Sequence, residues 1–144
     1  MSACVGVFGA TGYTGQELVR LLRRHPRARV AFTTGSATGH LAHEAGLDQA
    51  ADAYFLAMPH GIAATYAARL REARPEAVVI DLSGDLRLPT PESYKQWYGY
   101  EHKAPHLIGQ AVFGLCEAYR DRLPGARLVS NPGCYATSVL LPLV

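Results

Sequence analysis

Cysteine is scarce in this sequence, and no two cysteines have the spacing of a metal site. The 144 residues include three cysteines, Cys4, Cys116 and Cys134, and no C-x-x-C motif. An odd number of cysteines at wide spacing argues against a disulfide framework and against a structural zinc site. We therefore expect no bound metal and a reducing, cytoplasmic location.

An excess of charge of one sign is also lacking. The formal net charge is +2, and the arginines are dispersed along predicted helix faces, between apolar positions. Examples are Arg20, Arg23, Arg24, Arg69, Arg71 and Arg74. This dispersion favours a solvated surface over a stripe that binds nucleic acid.

Long hydrophobic runs are absent as well. No apolar run reaches the ~20 residues that span a bilayer, and the N-terminus leads into a strand without the layout of a signal peptide. We expect no membrane partner. Hydrophobic residues nevertheless make up 49% of the chain, which is enough to bury the core of one globular domain.

Short apolar runs alternate with segments of helical period in the first half of the chain. The pattern predicts strands at 3–8, 29–33, 53–57 and 77–81 and helices at 14–24 and 62–73. This alternation is typical of an α/β domain with a parallel sheet, whose strands are buried on both faces. We expect Leu18, Leu21 and Leu22 to form the buried face of the first helix, and Ile62 to begin that of the second.

Beyond Asp81 the pattern becomes irregular. Tyrosines, prolines and histidines crowd residues 89–110, where we expect loops and short helices such as 91–97. A last strand, 127–129, precedes a cysteine-bearing loop and a helix that starts at residue 135. Because residue 144 lies inside an apolar run without a cap, we expect 1–144 to be one domain whose partner domain is absent from this sequence.

A glycine-rich turn joins the first predicted strand to the first helix, in the sequence Gly9-Ala10-Thr11-Gly12-Tyr13-Thr14-Gly15. Glycines allow the tight turn and the close approach of a pyrophosphate, which then sits at the helix N-terminus. An ordinary strand-to-helix turn is the alternative. We favour a dinucleotide-binding, Rossmann-type domain: a doubly wound parallel sheet with helices on both faces. The residues that we assign to cofactor binding in this turn are Gly9, Thr11, Gly12, Tyr13, Thr14 and Gly15.

The end of the second strand bears on the choice of cofactor. An acidic residue there would favour NAD, but residues 33–40 contain hydroxyl groups and an imidazole and no acid. We therefore expect NADP(H), with Ser36 among its contacts. No arginine marks a site for the 2′-phosphate.

Two further loops follow strands at the edge where an open parallel sheet binds its ligand. Pro59, His60 and Gly61 close the third strand, and we assign them to cofactor binding, with proton transfer by His60 as the alternative. Ser83 follows the fourth strand and is a candidate contact of the nicotinamide.

Arg87 lies in the same loop as Ser83. A guanidinium group matches the oxygens of a phosphate or a carboxylate, so Arg87 is a candidate ligand of an anionic group on the substrate. An internal ion pair with Asp81 or Asp85 is an equal alternative.

Cys134 lies in an Asn131-Pro132-Gly133-Cys134 turn between an apolar strand and an apolar helix. The unpaired N–H groups and the dipole of a helix N-terminus stabilise a thiolate, which favours a nucleophile. Attack on an acyl phosphate or a CoA-like thioester gives an enzyme thioester, and hydride transfer to its carbonyl releases an aldehyde. We assign Cys134 to catalysis and Asn131 to substrate binding. A small buried cysteine is the alternative, and we expect it for Cys4 and Cys116.

Together these motifs are similar to those of one family. The glycine turn followed by Gln16-Glu17-Leu18, and segments 56–61, 81–88, 94–98 and 130–135, resemble the N-acetyl-gamma-glutamyl-phosphate reductases of arginine biosynthesis, relatives of aspartate-semialdehyde dehydrogenase. The resemblance implies NADP-dependent reduction of N-acetylglutamyl 5-phosphate to the semialdehyde and phosphate, with Cys134 as the thioester-forming nucleophile.

The resemblance also implies a second, α+β domain that is absent here. That domain would carry the catalytic histidine, most substrate contacts and the contacts of a homo-oligomer, so the fragment alone should be inactive. The chain departs from the family at Gly35, where Arg is common, and at Gly84, where Ala is usual.

Two other functions fit the same residues. The lysine-biosynthesis sibling reduces an aminoadipyl phosphate held on a carrier protein by the same chemistry, although the intact Asn-Pro-Gly before Cys134 favours the arginine enzyme. A regulatory module that binds NADP without turnover is the alternative from another class.

Overall fold

The computed structural model describes residues 2–144, which build a parallel sheet covered by helices. The strands are β1 (Ala3–Phe8), β2 (Ala28–Thr33), β3 (Ala53–Leu56), β4 (Val78–Asp81), β5 (Val112–Phe113) and β6 (Leu128–Ser130). Neighbouring strands are parallel, in the order β2-β1-β3-β4-β6-β5. The predicted fold class, an α/β domain with a doubly wound parallel sheet, is confirmed.

The α-helices are α1 (Tyr13–Leu22), α2 (His43–Leu47), α3 (Ala63–Ala73), α4 (Pro91–Tyr98), α5 (Cys116–Tyr119) and α6 (Cys134–Leu140). Short 3₁₀ helices occur at Pro105–Leu107, Arg120–Arg122 and Leu141–Leu143. The predicted elements agree with these bounds to within two residues. α2, β5 and α5 were not predicted, because elements of five, two and four residues are too short to show a period. Within residues 2–144, no helix has the length and apolarity to cross a bilayer.

Side-chain alternation along β1 determines which helix packs on which face. Val7 belongs to a core cluster with Val19 and Leu22 of α1. Phe8, the next residue, points to the opposite face and belongs to a second cluster with Leu70 of α3. The chain moves from β1 to β2 on one side and to β3 on the other, so helices cover both faces and a crevice opens between β1 and β3.

The buried positions differ from the prediction in three places. Leu21 is 52% exposed, because the helical period places Gly15, Val19 and Leu22 on the sheet side of α1. Ile62 precedes the first turn of α3 and is 44% exposed. β2 is an edge strand with alternate residues exposed, and it is not buried on both faces as predicted.

A buried carboxylate joins the loop after β4 to the start of α3. Asp85 is fully buried, and its carboxylate accepts hydrogen bonds from Gly61 N at 2.8 Å and Ala64 N at 3.0 Å. The Tyr100 hydroxyl donates to the same carboxylate at 2.8 Å. Burial and the neighbouring Asp85 raise the pKa of Tyr100, so its hydroxyl keeps its proton at neutral pH. Asp85 thus serves as a remote cap for α3, whose own N-cap residue makes no side-chain bond.

Tyr94 ties the irregular segment after β4 to the same loop. It is fully buried, its hydroxyl donates to Gly84 O at 3.2 Å, and it accepts from Leu88 N at 2.8 Å. Burial raises the pKa of Tyr94 to about 12. The ring of His102 lies 4.6 Å from that of Tyr94, and its Nε2 bonds to Asp85 O. Residues that lack helical period are therefore ordered by aromatic packing and hydrogen bonds.

Replacement of Asp85 by Asn is expected to destabilise the fold. An amide keeps one acceptor oxygen and leaves an N–H at the start of α3 without a partner, so the free energy of unfolding should fall by about 1–3 kcal/mol. Urea denaturation measures this change. The exposed Asp121→Asn is the control and should unfold like the wild type; an equally stable Asp85→Asn would contradict the capping role.

Candidate active site

Four strand ends lie side by side along one edge of the sheet. The register pairs Phe8 with Leu56, Leu56 with Asp81, and Asp81 with Ser130. With strands about 4.8 Å apart, the row is about 14 Å long. Because the strands are parallel, the loops that follow these four residues meet at the same edge, and these loops carry most of the predicted site residues.

Hydrogen bonds extend the sheet by one residue into three of these loops. The bonds run from Ala57 N to Phe8 O at 2.9 Å, from Leu82 N to Leu56 O at 3.0 Å, and from Asn131 N to Asp81 O at 2.8 Å. The first residue of each of these loops is therefore fixed by a hydrogen bond to the neighbouring strand.

The glycines of the turn after β1 have different steric roles. Gly9 has a φ of +79°, and a Cβ there would lie 2.2 Å from Ala57 O. A Cβ on Gly15 would lie 2.2 Å from Gly9 O. Gly12 is the N-cap of α1, and the nearest atom to a Cβ there, apart from its chain neighbours, would be Gly9 O at 3.7 Å. Gly9 and Gly15 permit close backbone packing, whereas Gly12 keeps the helix N-terminus open to an anion.

A groove of about 410 Å³ lies between this turn and the loop after β3. The groove is lined by Gly9, Thr11, Gly12, Tyr13, Thr14, His43, Ala57, Met58 and Pro59. Five residues predicted in the glycine turn thus share a cavity with Pro59. His43 was not predicted as a site residue. It reaches the groove from α2, and the local sequence has no periodic pattern that predicts this helix. A larger groove of about 760 Å³ follows β2 and contains none of the predicted site residues.

Five predicted cofactor residues do not line the 410 Å³ groove: Gly15, Ser36, His60, Gly61 and Ser83. Ser36 is exposed in the loop after β2, where a Cβ on Gly35 would lie 2.5 Å from Thr11 Cγ2. His60 is exposed, and its ring lies 5.3 Å from that of Tyr98. Their assignment to the cofactor stays a prediction, as does that of Gly61, whose N–H is bonded to Asp85.

Asp81 organises the loop after β4. Its carboxylate is 1% exposed and accepts from Ser83 N at 2.9 Å, from Ser83 Oγ at 2.6 Å and from Leu86 N at 3.3 Å. Burial raises the pKa of Asp81 above its usual value, and the hydrogen bonds from Ser83 act in the opposite sense. The Ser83 hydroxyl is thus engaged inside the loop, and its contact with a nicotinamide stays a prediction.

Arg87 links the loops after β4 and β6. Its Nε donates to Asn131 O at 2.8 Å, and its Nη2 donates to Leu82 O at 2.9 Å. Both acceptors are main-chain carbonyl groups at the starts of loops that belong to adjacent strands. The guanidinium group therefore holds the cysteine loop against the loop after β4.

The alternative of an internal ion pair at Arg87 is wrong. Within residues 2–144, neither Asp81 nor Asp85 forms a salt bridge with it. The third nitrogen, Nη1, lies close to two glycines. A Cβ atom added to Gly133 would be 2.8 Å from Nη1, and a Cβ atom added to Gly84 would be 3.1 Å from it. The two glycines give Nη1 room beside the cysteine loop.

Cys134 is the first residue of α6, with Gly133 as the N-cap, and it is exposed. The N–H groups of Cys134 and Tyr135 lie in the first turn, where an α-helix offers them no acceptor. Donors so placed stabilise a negative charge on the thiolate or on a substrate oxygen.

The other cysteines differ from the prediction of buried thiols. Cys116 is exposed, because it begins α5, a helix of four residues with no buried side chain. Cys4 is half-buried, and Arg29 Nη2 donates to its Sγ at 3.0 Å. Residues 2–144 contain no group of three or more potential metal ligands.

Comparison with known proteins places the chain among dehydrogenases. Residues 4–126 match the family described as semialdehyde dehydrogenase, NAD binding domain. Relatives from Magnetococcus marinus (43% identity), Halorhodospira halophila (45%) and Neisseria meningitidis (45%) are named N-acetyl-gamma-glutamyl-phosphate reductase. These alignments cover 96%, 97% and 97% of this chain and 45% of each relative. The chain thus spans less than half the length of these relatives.

Solved structures share the fold. Aspartate semialdehyde dehydrogenase II from Vibrio cholerae, complexed with ASA, gives a TM-score of 0.66 at 17% identity, covering 99% of this chain and 45% of that one. Aspartate semialdehyde dehydrogenase with NADP from Candida albicans gives 0.60 at 14% identity, covering 99% and 46%. At such identities the likeness establishes the fold alone.

Replacement of Arg87 by Lys is expected to loosen the cysteine loop. A single ammonium group cannot reach both carbonyl groups that the guanidinium fork joins, so amide hydrogen exchange in residues 131–135 should accelerate about tenfold. Mass spectrometry of the exchanged peptides measures this rate.

The matched control for this variant is Arg71→Lys. Arg71 Nη1 donates to two main-chain carbonyl groups beyond the C-terminal end of α3, at 2.7 and 3.1 Å. This control should leave exchange in the cysteine loop unchanged. If Arg87→Lys also left it unchanged, the linking role would be disproved.

Proposed function

The chain belongs to the semialdehyde dehydrogenase family, and on that premise we propose that it is the cofactor-binding part of an NADP-dependent N-acetyl-gamma-glutamyl-phosphate reductase. Relatives at 43% and 45% identity carry that name. The observation that carries the proposal is the position of Cys134: it heads α6 and follows the strand whose end lies in one row with the glycine turn.

In the proposed reaction, the Cys134 thiolate attacks the acyl carbon of N-acetylglutamyl 5-phosphate. A sulfur–carbon bond forms, the carbon–oxygen bond to the phosphate breaks, and phosphate leaves with the electron pair. A bound nicotinamide dinucleotide supplies the hydride that reduces the resulting thioester. Release of the semialdehyde returns Cys134 to the thiolate.

Other groups at the sheet edge support this chemistry. The N–H groups of Cys134 and Tyr135 are the proposed donors to the carbonyl oxygen of the substrate. Arg87 Nη1 and the Asn131 side chain are the proposed contacts of its anionic groups. The residues also fit a dinucleotide, because the N-terminus of α1 at Gly12 is open to a diphosphate.

The proposed enzyme needs more than this chain. The relatives extend well beyond the matched region, and we propose that a second domain supplies the catalytic histidine, further substrate contacts and the surfaces of a homo-oligomer. None of the six histidines here is therefore assigned as the acid–base group. A cytoplasmic location is proposed from the cysteine usage.

Replacement of Cys134 by Ser in the full-length protein is expected to lower turnover of N-acetylglutamyl 5-phosphate by about a thousandfold or more, because the nucleophile is lost. Binding of NADPH should persist. Steady-state assays and nucleotide fluorescence measure the two quantities. Cys116→Ser, which also replaces an exposed thiol, is the control and should keep full activity. Unchanged turnover in Cys134→Ser would disprove the covalent mechanism.

NADPH is expected to bind more tightly than NADH, because the segment after β2 offers hydroxyl groups and no acid. Ser36→Ala should raise the Kd of NADPH about fivefold, the equivalent of one hydrogen bond, and leave that of NADH unchanged. Isothermal titration calorimetry gives both constants. Thr65→Ala, exposed on α3, is the control. Equal affinity of the wild type for both cofactors would refute the preference for NADP.

A further inference from the structure

His43 lines the 410 Å³ groove from outside the two loops that form most of it. It is the first residue of α2, and it is half-buried between the sheet and α3. Its ring is stacked on that of Phe8, with centroids 6.5 Å apart and planes 23° apart, and it meets Tyr66 edge-on at 6.1 Å. Aromatic neighbours on two sides hold the imidazole in one orientation.

Hydrogen bonds at Thr34 decide which ring nitrogen carries the proton. Thr34 is fully buried, and its Oγ1 lies 3.3 Å from Gly9 N and 2.6 Å from His43 Nδ1. Gly9 N donates to this oxygen, so the one hydroxyl hydrogen has to be donated elsewhere. Within the described residues, His43 Nδ1 is the acceptor in reach, and a buried donor without a partner is costly.

The arrangement leaves His43 with an Nε2–H group. With Nδ1 accepting from Thr34, the neutral ring carries its hydrogen on Nε2. The same contacts engage Gly9 N, which is then not available to a ligand. His43 thus brings an imidazole with an Nε2–H group to the lining of the groove, whereas the N–H group of Gly9 is bonded to Thr34.

We propose that His43 is a binding residue that donates a hydrogen bond from Nε2 to the diphosphate of the dinucleotide. This inference rests on the proposed function. The groove that His43 lines also contains Gly12, Tyr13 and Thr14, at the open N-terminus of α1, which is where a diphosphate is favoured. A ring already held by Thr34, Phe8 and Tyr66 loses little conformational entropy when it makes this bond.

Two substitutions separate the bond to the ligand from the bond to Thr34. His43→Asn places an amide oxygen near the Nδ1 position, where it still accepts from Thr34, and removes the donor to the groove. His43→Gln places an amide NH₂ near the Nε2 position and keeps that donor. His106→Asn, at an exposed site in the Pro105–Leu107 turn, is the control.

The experiment measures the Kd of NADPH, NADH and ADP-ribose for each variant of the full-length protein by calorimetry. ADP-ribose and both cofactors contain the diphosphate, so His43→Asn should raise all three constants about tenfold or more. His43→Gln and His106→Asn should bind all three like the wild type.

Three results would count against the inference in different ways. If His43→Asn binds all three ligands like the wild type, His43 does not contact the dinucleotide. If His43→Asn weakens NADPH alone, the contact is to the 2′-phosphate and the diphosphate assignment is wrong. If the wild type itself binds none of the three ligands, the proposed function fails, and it fails independently of His43.

Discussion

Hydrogen bonds between parallel strands set Phe8, Leu56, Asp81 and Ser130 in one row, and the candidate site depends on that register. A slip of one residue would turn the side chains of a strand to the opposite face of the sheet. Asp81 would then leave the loop that it organises, since its carboxylate is buried among that loop's own N–H groups. The row thus aligns a helix N-terminus at one end with a cysteine at the other.

Beyond the row, two charged side chains help to hold the loops. Asp85 bonds to backbone N–H groups at the start of α3, and Arg87 bonds to carbonyl groups of its own loop and of the loop after β6. Such bonds are directional and strong where water is excluded, and a lost partner costs the full desolvation of the group left behind. They act beside Met58 and Leu86 of the same loops, which belong to the apolar core.

Several features of the fold could be predicted because their causes are local. The apolar runs of β1, β3 and β4 are bounded by turn residues, and the close packing of the turn after β1 needs the glycines at 9 and 15. Cys134 at the head of a helix follows from the Asn-Pro-Gly segment before it. The alternation of strands and helices was sufficient to identify a doubly wound sheet.

Other features depend on contacts between distant parts of the chain, and the sequence contains no local signal for them. Which face of α1 is buried was decided by the sheet, so Leu21 is exposed although it is apolar. Arg87 was equally suited to an ion pair and to an anionic substrate. The structure replaces the ion pair with hydrogen bonds to main-chain carbonyl groups, one of them at Asn131, 44 positions away.

The sequence by itself determined the order of the elements, the glycine turn and a cysteine at a helix N-terminus, because each depends on the conformational preferences of adjacent residues. Only the tertiary structure decided that His43 lines the groove and that Asp85 caps α3. In both cases a side chain contacts backbone or ring atoms of a segment that connects two other strands of the sheet. Such contacts form only when the order of strands in the sheet brings their connections together.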